Sequence, residues 1–186
     1  MTTRWAPAKR DTLRELANEI GHNYGRGRVI VAVDGPPGGS VATAGLADDL
    51  ADALRESGLT AFRASVSAFS RRPEGAGRDA APELDESVFR RVLIEPFRLG
   101  GSTGWVEAAY DAEADRPVES SWVTGPPDAV LLVDGSYLSR AGLAGIWHYR
   151  VWVSADDDRP AARATASAVI DGSDPEHPRR RFDDAC

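Results

Sequence analysis

Between Asp11 and Ile20 the apolar residues Leu13, Leu16, Ala17 and Ile20 fall at three- and four-residue steps, the spacing of one helix face, with Gly21 as a stop. The pattern then changes. Arg28-Val-Ile-Val-Ala-Val33 is apolar at every position from Val29 on and of strand length, which predicts a strand covered on both faces, as in a parallel sheet. It runs into Asp34-Gly-Pro-Pro-Gly-Gly-Ser40, a loop of turn formers. Leu46, Leu50, Ala53 and Leu54 restore the helical stripe until Gly58. Leu59–Val66 reads as a second strand, Ser67–Pro82 as a polar loop, and Asp85–Phe97 as a helix with Val88, Phe89, Val92 and Leu93 inward.

Beyond the glycine-rich connection Gly100–Gly104, Trp105–Tyr110 is a short strand candidate and Asp111–Trp122 a hairpin or loop. Ala129-Val-Leu-Leu-Val133 repeats the buried-strand pattern and ends in Asp134-Gly135. Arg140–Gly145 reads as a short helix, Tyr149–Ser154 as a strand, Pro160–Ala164 as one helical turn and Ala166–Ile170 as a last strand. The segment Asp174–Cys186 is expected to be an exposed tail. Strands alternating with helices imply right-handed crossovers and a parallel sheet with helices on both faces. Ligands on such sheets sit at the carboxyl ends of the strands, which gathers Asp34–Thr43, Ser65–Arg72 and Asp134–Tyr137 around one crevice.

The chain has 186 residues, the size of one domain able to bury about two-thirds of its unfolded surface. No apolar run spans a bilayer and the N-terminus lacks a signal-peptide stretch, so a cytoplasmic protein without a membrane partner is expected. A net charge of −7 and a pI near 5.0 argue against nucleic acid as a partner. The single cysteine, Cys186, excludes an internal disulfide and a cysteine-based zinc site. His22 and His177 read as solvated and His148 as structural, and no cluster has metal-ligand spacing. The cations comprise 21 arginines and one lysine, Lys9, so a mechanism that needs lysine has one candidate.

A strand, a glycine-rich loop and a helix are the parts of a phosphate-binding loop. Val29-Ile-Val-Ala-Val-Asp-Gly35, Leu46–Arg55, Arg63-Ala-Ser-Val-Ser-Ala-Phe69 and Phe89-Arg-Arg-Val-Leu-Ile-Glu-Pro96 carry a resemblance in their order and spacing. Tyr110-Asp-Ala-Glu-Ala-Asp-Arg-Pro-Val118 and Pro126–Gly135 extend it, over residues 26 to 155. Together they resemble the uridine kinase-like branch of P-loop nucleoside kinases, in its actinobacterial form. The resemblance implies a three-layer α/β P-loop NTPase-like fold, with a parallel sheet of about five strands flanked by helices. It also implies ATP and Mg²⁺ as cofactors, a phosphate loop at Gly35, Gly38, Gly39, Ser40 and Thr43, and a nucleoside pocket at Phe69, Tyr110, Asp111 and Arg116. Asp134 falls where the family has an acidic residue near Mg²⁺, and Asp134 and Asp111 are the catalytic candidates. The plainer reading of Asp134 is a strand-end turn residue, and that of Asp115-Arg116-Pro117 a surface hairpin.

The departures fall on the chemistry. The family's Gly-Lys-Thr lands on Ser40-Val41-Ala42 counted from Gly35, or on Ala42-Thr43-Ala44 counted from Leu46. Neither register holds a lysine, and Lys9 lies ahead of the first helix, outside this loop. The metal-binding hydroxyl is lost in both, unless Ser40 or Thr43 serves from a shifted position. Where the family has Asp-Asp-Phe or Asp-Ser-Phe, this chain has Ser67-Ala68-Phe69. The helical lid is deleted after Ser154, with Arg159 and Arg163 as its remaining cations. Phosphoryl transfer depends on such positioning and charge, and one missing donor costs about 10²–10³ in rate. The expectation is a degenerate relative that keeps a cleft for a nucleoside, a nucleotide, another small ligand or a protein partner. A repurposed enzyme using Asp134, Asp111, Tyr110 or Arg116 and a weak kinase with an unorthodox loop stay open, as does a homodimer.

Overall fold

The computed structural model describes residues 5–38, 40–77, 79–112, 114, 116–154 and 163–182, with positions 40 and 41 described by backbone alone. The order of elements is α1 (Pro7–Tyr24), β1 (Val29–Gly35), α2 (Ser40–Glu56), β2 (Ala61–Ser65), a 3₁₀ turn (Val66–Phe69), β3 (Ser70–Arg71) and β4 (Glu83–Leu84). Then come α3 (Glu86–Phe89), a π turn (Arg90–Ile94), α4 (Glu95–Leu99), β5 (Tyr110–Asp111) and β6 (Arg116–Pro117). The chain continues with β7 (Val130–Ser136), β8 (Tyr149–Ser154), β9 (Ala168–Asp171) and β10 (Arg179–Arg181).

The main sheet runs β10-β9-β8-β1-β7-β2. Five strands are parallel and β10 is antiparallel to β9. Alternate β1 side chains face opposite layers, which is why the run had to be apolar throughout. Val29, Val31 and Val33 pack with Leu13, Leu16, Leu50 and Leu54 of α1 and α2. Ile30 and Ala32 pack with Phe89, Leu93, Phe97 and Trp105 on the other face. The sheet is therefore the middle of three layers. Because β1 pairs with β7 on one side and β8 on the other, the connections diverge from it and open a crevice at the strands' carboxyl ends.

Several expectations are corrected. The sheet has six strands because Arg179–Arg181, read as tail, closes its edge. Arg180 is held there by Glu15 at 3.1 Å and by Glu19 of α1. Lys9 does not precede the first helix but lies within α1, which begins with Pro7 in its first turn and runs past Gly21. A glycine inside a helix costs about 1 kcal/mol. The edge-on packing of Tyr24 against His148 and Tyr149 holds the turn beyond it. Arg140–Gly145 forms turns rather than a helix, and Trp105 makes a single bridge to Val123. The loop expected at Ser67–Pro82 contains the 3₁₀ turn and the short β3–β4 pair. Most of the Pro160–Ala164 turn, and Arg159, lie outside the described residues.

The helix expected at Asp85–Phe97 is present over Glu86–Leu99 but opens into the π turn ahead of Pro96. Proline has no N–H for the carbonyl four residues back. Val92 O accepts instead from Val106 N at 2.8 Å, which fastens the following loop to the helix. Among the described residues no helix is long and apolar enough to cross a membrane.

Candidate functional site

The strand-end crevice has a volume of about 1030 Å³ and is walled by Gly38, Ser65, Ser67, Asp134, Ser136 and Tyr137, among others. Register explains the gathering. Asp134 pairs with Val33 and with Ser65, and Ser136 with Gly35, so the last residues of β1, β2 and β7 come level.

Asp134 is 3% exposed. Its Oδ1 accepts from Arg63 Nη2 at 2.8 Å and its Oδ2 from Ser65 Oγ at 3.2 Å. The Arg63 guanidinium donates further to Asp48 Oδ1 (2.8 Å) and to the carbonyls of Ala64, Leu132 and Ala44 (3.3–3.4 Å). A guanidinium has five N–H donors, and here every one is engaged. Ser65 Oγ also lies 2.9 Å from Ser67 Oγ, the hydroxyl standing where the resemblance places an aspartate. Across the crevice Glu86 and Arg140 pair at 2.8 Å.

The loop after β1 is shaped by packing. Gly35 N donates to Asp34 Oδ1 at 2.9 Å. A Cβ on Gly35 would come within 2.7 Å of Thr43 Cγ2, so only glycine fits there. Thr43 is correspondingly 1% exposed, with its methyl beneath the loop. Gly38 has φ +85°. Ser40 opens α2, and Gly39 lies outside the described residues. Asp34 itself is buried, and its Oδ2 accepts from Ser139 N at 2.9 Å. Burial pushes its carboxyl above the usual carboxylate range, against the pull of N–H groups from Ser139, Leu138 and Gly35.

A second pocket of about 690 Å³ lies on the other side of the 3₁₀ turn, with Phe69, Arg71, Val88, Tyr110 and Pro117 in its walls. Phe69 is buried edge-on against Phe89. Tyr110 opposes Pro117 in the β5–β6 pair, and Asp111 opposes Arg116 one step further along. Asp111 Oδ1 accepts from Ala114 N at 3.0 Å and shapes the hairpin, while Arg116 is exposed. The structure thus brings Phe69 and Tyr110 together at one pocket and Asp134 and Gly38 at the other. Among the described residues no three His, Cys, Asp or Glu side chains gather as a metal-holding group.

Two residues were not singled out from the sequence as site residues. Arg63 is a cation within the strand between Ala61 and Ser65, half-buried beside the buried Asp134, and such a cation calls for a partner. That was the available signal. Lys9 reaches a third cavity of about 460 Å³ that also touches Gly38, Ala42 and Gly172, and its Nζ pairs with Asp49 at 2.7 Å and Glu176 at 3.4 Å. It therefore borders the phosphate-loop region in space, although its charge is spent on carboxylates.

No protein-family model matches the chain. No curated protein matches it either. Solved structures do. A candidate uridine kinase from Bacillus stearothermophilus superposes with a TM-score of 0.62 at 18% identity, over 78% of this chain and 81% of the other. A candidate fructose transport system kinase from Silicibacter sp. TM1040 gives a TM-score of 0.60 at 25% identity, over 82% of this chain and 78% of the other. With its mostly parallel sheet, its helices on both faces and a glycine-rich loop between β1 and α2, the chain has the P-loop kinase fold.

Proposed function

We propose that this is a uridine kinase-like protein that binds a small uncharged ligand, of nucleoside or sugar size, in the crevice and the adjoining pocket, and does not transfer phosphate from ATP. The observation that carries this reading is the Arg63–Asp134 pair. The one carboxylate at the expected metal position already has its counter-ion, and that cation has no donor left for a phosphate.

ATP and Mg²⁺, which the fold implies, do not fit the residues present. The loop has no lysine, Thr43 is buried beneath Gly35, and Pro36 and Pro37 withdraw two N–H donors from the anion nest. The loss of the carboxylate at Ser67 removes the proton acceptor as well. What is left is suited to recognition. Ser65, Ser67 and Ser136 offer hydroxyls to a polyhydroxy ligand, and Gly38 stands on its loop side. Phe69 and Tyr110 form the far side, with the Asp111–Arg116 step of the hairpin next along. The activities named for the two structural neighbours, a uridine kinase and a fructose transport system kinase, supply the first ligands to test.

The test is thermal unfolding with uridine, cytidine, fructose and ATP, each with and without Mg²⁺, alongside an assay for ADP. A ligand at 100 times its dissociation constant adds about 2.7 kcal/mol. The expected result is a shift with a nucleoside or the sugar, indifferent to Mg²⁺, and no ADP. A Mg²⁺-dependent shift with ATP and a phosphorylated product overturns the proposal, as does the absence of a shift with all three neutral ligands.

A further inference from the structure

Tyr137 is the one non-glycine at positive φ among the described residues, at +65°. Side chains with a Cβ avoid this region, and for a bulky residue it is an outlier that the surroundings must impose. The surroundings here do so from both sides. Ser136 is fixed in the sheet opposite Gly35. Leu138 is fully buried and its carbonyl accepts from Trp147 Nε1 at 2.8 Å. Ser139 N is held by the buried Asp34, and Arg140 N returns to Tyr137 O at 3.2 Å. The turn is thus built so that Leu138 goes into the core while Tyr137 stays out, half exposed, in the wall of the crevice.

Tyr137 belongs to neither packed core, and the turn places its aromatic ring beside serine hydroxyls in a crevice where Asp134 and Glu86 are each paired with an arginine. We propose that Tyr137 is the specificity-determining residue of this site, a stacking surface that selects ligands with a planar ring over those without one. This rests on the reading of the crevice as a site for neutral ligands. It favours a nucleoside over a free sugar, because only the former has a π face for the ring to cover. Asp34 acts through the turn and is a positioning residue.

The experiment measures uridine and fructose affinity by calorimetry, and stability by urea denaturation, for wild type, Tyr137→Phe, Tyr137→Gly and Tyr137→Asn. Glycine and asparagine both accept the left-handed backbone. The expected result is that Phe keeps uridine affinity while Gly and Asn lose about tenfold to a hundredfold, the range of base–aromatic stacking. Fructose affinity and the denaturation midpoints of Gly and Asn are not lowered. If wild type binds uridine and the Gly and Asn variants bind it within twofold, the proposal on Tyr137 fails alone. It also fails if both variants lower the denaturation midpoint, since Tyr137 is then a packing residue. A wild type that binds neither compound overturns the neutral-ligand reading and this inference with it.

Discussion

Arg63 on β2 holds Asp134, the buried carboxylate in the wall of the strand-end crevice on β7, Nη2 to Oδ1 at 2.8 Å, with the arginine side chain 19% and the aspartate 4% exposed. Asp134 is the buried partner, and removing the arginine leaves its charge uncompensated.

Arg63→Ala is therefore expected to destabilise the fold by about 3–5 kcal/mol. The double variant Arg63→Met, Asp134→Leu is expected to cost less than the single one, because it leaves no buried charge. Urea denaturation of both decides the matter. A double variant at least as unstable as Arg63→Ala would mean that the pair contributes by shape rather than by charge.

His148 gives the fold a sensitivity to mild acid. Its Nδ1 accepts from Ile30 N at 3.0 Å, so a proton on that nitrogen breaks a bond at the start of the central strand. Burial, and then the charge of Arg98, lower its pKa from 6.5. The unfolded chain thus takes up this proton first, and stability falls as pH drops through 6.5 toward the lowered value. His148→Asn, which keeps an acceptor near Nδ1, is expected to remove that part of the pH dependence in denaturation curves between pH 7 and 5.

Asp34 acts with the opposite sign. Its carboxyl is raised by burial, so the folded chain holds the proton longer and loses stability as pH climbs from the ordinary value of 3.8 toward the raised one. Asp34→Asn keeps an acceptor for Ser139 N and cannot ionise. Its stability relative to wild type is expected to grow across that window and then level off, which paired denaturation series at stepped pH would reveal.

Gly125 tests the packing at the far end of the sheet. A Cβ there would stand 2.7 Å from Phe62 Cε2 and 3.0 Å from Trp105 Cη2, two rings already locked edge to face at 4.9 Å. Gly125→Ala is expected to cost about 1–3 kcal/mol as overpacking. Ligand affinity at the crevice should be unchanged when measured well below the new midpoint.

The middle of the sheet was legible in the sequence because Val29–Val33 and Ala129–Val133 are apolar at every position, and only a strand covered on both faces has use for that. The crevice was legible for the same reason, since the polar residues that end those runs sit level in a parallel sheet. Arg179–Arg181 was not, because its pairing with β9 depends on carboxylates of α1 that lie more than 160 residues away in the chain. The reach of Lys9 toward Asp49 and Glu176 was hidden in the same way. Arg63 stands in plain view in the sequence, but only the pairing of β2 with β7 brings it to Asp134 and shows what its charge is for.

The arginines at the two borders of the sheet have a consequence for the protein in solution. β10 presents three in a row, and on the opposite border the carbonyl of Ala61 is taken by both Nε and Nη2 of Arg55. An outermost strand is a template on which another chain can add, and cations along it or a guanidinium across its acceptors spoil that template. Two copies of this molecule should therefore not join into a continuous sheet even when crowded, and any association between them would have to be made through helices and loops.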